Sequence, residues 1–133
     1  MTLPTEEQDQ IALIQWFDLA YPSLAGRLAS SSGGARMTMR TAKRQKAAGN
    51  RKGFPDLNLL TPRHGFSGLV IELKRVKGGR LEPEQADWLE WLNNQGFMAV
   101  VCKGFDAAKV TIEGYLSETT HQASRARAFG GGL

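Results

Sequence analysis

Two carboxylates and one lysine stand out in this sequence because the residues around them are cationic. Asp56 and Glu72 are the only acids between residues 36 and 80, and Lys74 follows Glu72 by two positions. Two carboxylates, with carbonyl and water oxygens, form the hard oxygen site that Mg²⁺ or Mn²⁺ prefers. Such a metal lowers the pKa of a bound water, and a neighbouring lysine stabilises charge that develops on a phosphate. The three residues therefore have the chemistry that phosphodiester hydrolysis needs.

The apolar segment 69–74 is predicted to be a β-strand. In a strand, alternate side chains lie on opposite faces of the sheet. Glu72 and Lys74 are therefore expected on one face together with Val70. The other face would carry Leu69, Ile71 and Leu73.

A hairpin would bring the second carboxylate to the same face. The preceding predicted strand runs from Asp56 to Leu60, and a seven-residue loop with a proline and a glycine connects the two strands. Pairing Leu60 with Gly68 across that loop places Asp56 opposite Glu72, about 5 Å apart at Cβ. Lys74 would lie about 6–7 Å further along the face.

Helices and further strands are predicted on both sides of this hairpin. Thr5 and Gln8 form a capping box, which starts the first helix. An α/β fold with a mixed central sheet flanked by helices follows from the element order. Apart from the hairpin, the predicted elements are a helix at 6–20, a short strand or linker at 28–30, a short helix or mobile arm at 36–49, a helix at 83–95, a strand at 97–102 and a helix at 105–116.

Positive charge is concentrated around the carboxylates. Residues 36–80 contain twelve of the 17 Lys and Arg residues but two of the 13 acids, within a net charge of +4. This pattern favours a polyanionic partner such as nucleic acid, and a solvated basic face is the alternative. The predicted phosphate-contacting residues are Arg36, Arg40, Lys43, Arg44, Lys46, Arg51, Lys52, Lys77 and Arg80.

Composition excludes several other classes of protein. The 133 residues are 41% hydrophobic and 23% charged, which is typical of one globular domain, expected over residues 1–118 with a disordered tail at 119–133. No run of 18 apolar residues predicts a membrane-spanning helix, and no signal-peptide pattern is visible, so we expect a cytoplasmic protein. A single cysteine, Cys102, rules out an internal disulfide or a cysteine-based zinc cluster.

The motif Gly53-Phe54-Pro55-Asp56, followed after fifteen residues by Glu72-Leu73-Lys74, resembles the PD-(D/E)xK nuclease superfamily. It is most similar to the VRR-Nuc family, whose pattern continues with a helix that bears a glutamine, here Gln85, and a strand, here residues 96–101. The resemblance implies a restriction-endonuclease-like core and a divalent-metal-dependent endodeoxyribonuclease. Small standalone members, found in phages and bacteria, look like Holliday-junction resolvases.

The resemblance also implies roles for individual residues. Asp56 and Glu72 would bind Mg²⁺ or Mn²⁺, Lys74 would be the catalytic lysine, and Gln85 would contact the site from its helix. Each has a simpler interpretation. Pro55 and Asp56 are ordinary turn residues, Glu72 and Lys74 are compatible with the solvent face of an edge strand, and an amide is common on an exposed helix.

A further metal-binding glutamate lies on the first helix of relatives. Glu6 and Glu7 both compete for this role here, and we favour Glu6 because the E-x-x-x-Q opening that ends at Gln10 is similar to relatives. Either acid is also explained by a favourable interaction with the helix dipole. Relatives often have asparagine before Gly-Gly where this chain has Ser32-Gly33-Gly34, so Ser32 is given little weight.

We therefore expect an endonuclease for branched or four-way-junction DNA in the cytoplasm of a bacterium or a phage-infected cell. Symmetric cutting of a junction favours a homodimer. The alternatives are a noncatalytic DNA- or junction-binding protein and a metal-dependent RNase on the same scaffold. Trp88 and Trp91 are expected to pack in the core or a subunit interface rather than to stack on bases.

Overall fold

A four-stranded sheet covered by helices organises the part of the chain that the computed structural model describes, residues 2–31 and 38–118. The predictions for Ser32-Gly33-Gly34, Arg36 and the tail at 119–133 lie outside these residues. In the described ranges, no helix is long and apolar enough to cross a membrane. The elements are α1 (Glu6–Ala20), β1 (Leu28–Ser30), α2 (Met39–Ala47), β2 (Leu57–Leu59), β3 (Leu69–Lys74), α3 (Pro83–Asn94), β4 (Met98–Lys103) and α4 (Gly104–Leu116), with a 3-10 turn at Pro22–Leu24.

The sheet is mixed, as the sequence predicts. Its strand order is β1-β2-β3-β4, with antiparallel pairing except between β3 and β4, which are parallel. Leu57 pairs with Ile71 and Leu59 with Leu69, which is the predicted hairpin register. The strand itself begins at Leu57, one residue later than expected, so that Asp56 lies at its entrance.

The two faces of β3 pack against different helices. Leu69, Ile71 and Leu73 belong to the main core, which includes Leu13 of α1 and Ile112 of α4. On the opposite face, Val70 packs in a smaller cluster with Leu89 and Leu92 of α3 and Ala99 of β4. The predicted alternation along β3 is confirmed.

Local signals set the ends of the helices. Thr5 and Gln8 form the expected capping box at the start of α1, with hydrogen bonds of 2.9 and 3.1 Å. Pro83 is the first residue of α3, and Gly96 follows its end with φ of 93°, a conformation that favours glycine. The basic segment forms the helix α2 rather than an irregular arm. Thr38 caps the start of this helix, since its hydroxyl accepts a hydrogen bond from the Thr41 N–H.

The outer edge of the sheet at β4 is occupied by a side chain. The Asn93 amide accepts a hydrogen bond from the Ala99 N–H at 3.0 Å and donates one to the Ala99 carbonyl at 2.9 Å. Met98 donates from its N–H to Gly68 on the β3 side, so the next residue, Ala99, faces the other way. Asn93 therefore pairs with backbone groups that a fifth strand would otherwise contact.

Candidate active site

The acid and the lysine of β3 are buried under α3. Glu72 is 2% exposed and Lys74 is 6% exposed. The interpretation of these residues as the solvent face of an edge strand is wrong, because β3 lies between β2 and β4 and α3 covers this face. Buried charged groups require partners, and the surrounding residues provide them.

Asp56 anchors the entrance to the hairpin and faces the same site. Its Oδ2 accepts a hydrogen bond of 2.8 Å from the Leu73 N–H. Its carbonyl accepts another, of 3.0 Å, from the Ser31 N–H. These bonds connect Asp56 to β3 and to the end of β1, so it does more than form a turn.

Gln85 connects the lysine to the glutamate. Its Oε1 accepts a hydrogen bond of 2.8 Å from Lys74 Nζ, and its Nε2 donates one of 3.1 Å to Glu72 Oε2. The same Oε1 accepts a bond of 2.8 Å from the Glu82 N–H at the start of α3. Lys74 Nζ also lies 3.5 Å from Glu72 Oε2. Gln85 is therefore fixed by the helix start and holds both neighbours in one orientation.

Burial and charge repulsion disfavour ionised Glu72. Burial, followed by the hydrogen-bonding and electrostatic influence of Asp56, raises the pKa of Glu72 to about 8, while Lys74 opposes this rise. Glu72 Oε1 is buried and has no hydrogen-bond partner. Without a cation, this environment favours the protonated form of Glu72.

This donor set fits a hard divalent cation. A cation placed between Asp56 and Glu72 would supply the partner that Glu72 Oε1 lacks and would favour the ionised form of Glu72. Oxygen ligands of this kind suit Mg²⁺ and Mn²⁺. No group of three acids, histidines or cysteines converges as a metal site within residues 2–31 and 38–118, so the protein contribution seen here is two carboxylates.

Two glycines allow the neighbouring loops to approach closely. A Cβ added to Gly79 would lie 2.8 Å from the Cβ of Lys74, so the loop after β3 folds back onto the lysine. Gly53 has φ of 86°, and a Cβ there would lie 2.5 Å from the carbonyl carbon of Glu84 in α3. Distances below 3 Å exclude a side chain at either position unless the backbone moves, so both loops depend on glycine for their placement.

The predicted phosphate-contacting residues that the structure describes are all on the surface. Arg40, Lys43, Arg44 and Lys46 are exposed on α2, and Arg51, Lys52, Lys77 and Arg80 are exposed on loops. Lys52 lies 3.6 Å from Glu84 at the first turn of α3. This basic surface extends from α2 to the loop that carries Asp56.

The structure does not bring the first helix into a three-acid cluster with Asp56 and Glu72. Glu6 is half-buried and Glu7 is exposed, and the role of Glu6 stays a prediction. Asp9 was not among the predicted site residues. It is 5% exposed, and its buried Oδ2 has no hydrogen-bond partner. Its signal was its position four residues before buried Leu13, on the core-facing stripe of α1.

A pair of aromatic rings beside the site was also overlooked. Phe54 contacts Trp88 edge-to-face with ring centroids 4.9 Å apart, and Trp88 contacts Trp91 in the same way at 5.8 Å. Trp88 packs on the smaller core, as expected, whereas Trp91 is 52% exposed. The signal for Phe54 was an apolar side chain inside a loop motif, two residues before Asp56.

Comparison with known proteins agrees with this geometry. A solved structure of a VRR_NUC domain protein has the same fold, with a TM-score of 0.76 and 27% sequence identity over 87% of this chain and 91% of that chain. No protein with a curated functional description matches the chain. The sequence profile of the VRR-NUC domain matches residues 5–106, which include Asp56, Glu72, Lys74 and Gln85. The chain therefore belongs to the VRR-NUC domain family of nucleases.

Proposed function

We propose that this protein is a divalent-metal-dependent endodeoxyribonuclease that cleaves branched DNA. The observation that carries the proposal is the buried group of Asp56, Glu72, Lys74 and Gln85. A cluster that serves stability alone has no need of two adjacent carboxylates with an acceptor oxygen left unpartnered. Burying these groups costs free energy, and their chemistry suits the cleavage of a phosphodiester.

Each residue has a distinct role in the proposed reaction. Asp56 and Glu72 would hold Mg²⁺ or Mn²⁺, which when bound polarises a phosphoryl oxygen and lowers the pKa of a water. Lys74 would stabilise the negative charge that develops on the phosphate. Gln85 would keep the Lys74 ammonium in place through its 2.8 Å hydrogen bond, so that the lysine does not reorganise during the reaction.

The substrate is inferred from charge. Exposed cations on α2 and on the loops at 51–52 and 77–80 would contact the phosphate backbone. The carboxylates belong to the same basic segment of the chain, where they would weaken phosphate binding unless a cation joined them. We propose four-way or otherwise branched DNA as the substrate and a homodimer as the active form, because a two-fold pair supplies two symmetric cuts. Such a substrate is consistent with a cytoplasmic location.

Cleavage of end-labelled four-way-junction, flap and linear duplex DNA tests the proposal. We expect cleavage with Mg²⁺ or Mn²⁺, preference for branched substrates, and none in EDTA. Lys74→Met should abolish most of the cleavage, and Lys109→Met, which removes an equal charge from α4 on the other side of the sheet, should not. Binding without cleavage in every metal would instead indicate a noncatalytic junction-binding protein, and preferential cleavage of matched RNA would indicate an RNase.

A further inference from the structure

A cavity of about 630 Å³ lies between α2, the loop that precedes Asp56, and α3. Its volume falls within the range of ligand-binding pockets, roughly 300–1,000 Å³. Besides small residues, the lining includes two amides, Gln45 and Asn50, one cation, Arg51, and two aromatic rings, Phe54 and Trp88. No role in the proposed cleavage reaction has been assigned to the aromatic or amide residues.

The aromatic wall presents an exposed ring. Phe54 is 39% exposed although it is apolar, and Trp88 supports it edge-to-face at 4.9 Å. Part of the Phe54 ring is therefore open to solvent, where it can contact a flat ligand. Stacking of a nucleobase on an aromatic side chain contributes about 1–3 kcal/mol for each base.

Other lining residues supply groups that can contact the edge of a base and its phosphate. Gln45 and Asn50 carry amides, which both donate and accept hydrogen bonds, as the edges of nucleobases do. Arg51 and the neighbouring Lys52 are exposed cations. A pocket lined by aromatic rings, amides and a cation can contact the face of a base, its edge and its phosphate.

The pocket is mechanically connected to the proposed active site. Phe54 precedes Asp56 by two residues in the loop. Trp88 follows Gln85 by three residues, so the side chains of Gln85 and Trp88 lie on the same side of α3. The Ser31 N–H in the pocket wall donates to the Asp56 carbonyl at 3.0 Å. The close approach of Gly53 to Glu84 holds the loop that carries Phe54 and Asp56 against α3. These contacts set the distance between the pocket and the proposed active site.

We propose that this cavity binds an unpaired nucleobase of the DNA strand, next to the phosphodiester that is cleaved. The inference rests on the proposed nuclease function and deepens it. A base inside a duplex has both faces stacked and its pairing edge occupied, so it cannot enter the pocket without being unpaired. Branch points, flaps and bulges offer such a base, and a continuous duplex does not. The pocket would therefore make branched DNA the preferred substrate.

Single abasic substitutions on each side of the cleaved bond test the pocket. For the wild-type protein, we expect removal of one particular base to lower kcat/KM by about 10- to 100-fold, the size of one lost stacking contact. Phe54→Leu keeps apolar bulk but loses the ring, so it should cleave intact and abasic substrates at the same reduced rate. Phe54→Tyr should restore the difference. Leu19→Ala, exposed on α1 and outside the cavity, should behave as the wild type.

Two further measurements separate this inference from the proposed function. Mn²⁺ binding followed by calorimetry should be the same in the wild type and in Phe54→Leu, since neither metal carboxylate changes. With Ca²⁺ in place of Mg²⁺, 2-aminopurine placed in turn at each position around the branch point should change fluorescence at one position on binding to the wild type and at none on binding to Phe54→Leu. This signal does not require cleavage and would support the pocket even if the protein proved to be no nuclease.

The pocket would be overturned by a wild-type enzyme that cleaves branched DNA with equal kcat/KM for every abasic substrate. An equal loss from the abasic substitution in Phe54→Leu and in the wild type would also overturn it, because the base would then be recognised elsewhere. Either result would leave the nuclease function intact. Tight binding of free AMP, competitive with the strand at equal concentration, would assign the cavity to a nucleotide ligand instead.

Discussion

The two faces of β3 consist of alternate residues of one six-residue strand, yet they are built for opposite purposes. One face carries Leu69, Ile71 and Leu73, which bury apolar surface against α1 and α4. The other carries Val70, Glu72 and Lys74, of which the last two are charged and equally buried. Burial alone therefore does not distinguish a stabilising face from a functional one.

What differs is how each face compensates for leaving water. The apolar face gains free energy from burial, about 25 cal/mol for each Å². The polar face loses solvation, and its hydrogen bonds through Gln85 offset only part of that loss, as the raised pKa of Glu72 shows. The apolar face therefore stabilises the fold, and this stability offsets the cost of burying the charged groups of the polar face.

The largest expected effect concerns the polar face. Lys74→Met removes the ammonium and leaves both carboxylates, so cleavage should fall by about 10²–10³-fold while Mn²⁺ binding persists. Glu72→Gln should lose cleavage together with metal affinity, because it removes a ligand charge. Single-turnover cleavage and calorimetry measure the two properties. A fully active Lys74→Met protein would remove the lysine from the mechanism.

The next effect concerns the apolar face. Ile71→Ala leaves a cavity in the main core and should lower the free energy of unfolding by about 2–5 kcal/mol, measured by urea denaturation. Activity per folded molecule should change little by comparison with Lys74→Met, since the side chain points away from the site. A selective loss of catalysis in a fully folded Ile71→Ala protein would break the separation of the two faces.

A smaller effect is the pH dependence of stability without metal. The folded pKa of Glu72, about 8, lies above the ordinary value of 4.5, so its contribution is fully present below pH 4.5 and is lost as the pH rises towards 8. Thermal unfolding in EDTA should therefore show a stability that declines between about pH 5 and pH 8, and Glu72→Gln should flatten this decline.

Added metal should reverse that trend. Because a bound cation would compete with the proton on Glu72, Mn²⁺ should raise the melting temperature more at pH 8 than at pH 6. Ile71→Val, on the opposite face of the same strand, is the control and should keep the wild-type pH dependence. An equal metal-induced shift at both pH values would contradict competition between the metal and the Glu72 proton.

The smallest effect extends the comparison to the outer surfaces. Neutralising Arg40, Lys43 and Arg44 on α2 should weaken DNA binding and reduce the slope of log K against log salt by about 0.9 for each lost phosphate contact. Arg27→Gln with Lys109→Gln, away from the basic surface, is the control. Fluorescence anisotropy at several salt concentrations measures both, and an unchanged slope in the α2 variant would exclude this helix from the DNA interface.

Short-range patterns were sufficient to predict much of this arrangement. Alternation along β3 and the length of the hairpin loop predicted which side chains share a face and which register pairs Asp56 with Glu72. Capping residues predicted the bounds of α1. These features depend on neighbouring residues and on turn geometry, which a sequence displays directly.

The rest depends on contacts between distant segments. Sequence did not reveal that β3 is an inner strand, so it could not tell whether Glu72 was buried or solvent-exposed. The two-way hydrogen bonding of Gln85 requires the position of α3 over the sheet. The meeting of Phe54 with Trp88 and the burial of Asp9 likewise arise from packing. Helical periodicity gives the position of Asp9 on the core-facing stripe of α1, and no periodic pattern records the contact of Phe54 with Trp88.

The Asn93 side chain at the edge of β4 has a consequence for self-association. An open strand edge is a template on which a second chain can add itself, and this is a common route to aggregation. By hydrogen bonding to both backbone groups of Ala99, the Asn93 amide blocks strand addition at that point of the edge. Two copies of this protein cannot join their sheets through Ala99 without first displacing the Asn93 amide, so sheet extension at this point of the β4 edge is disfavoured.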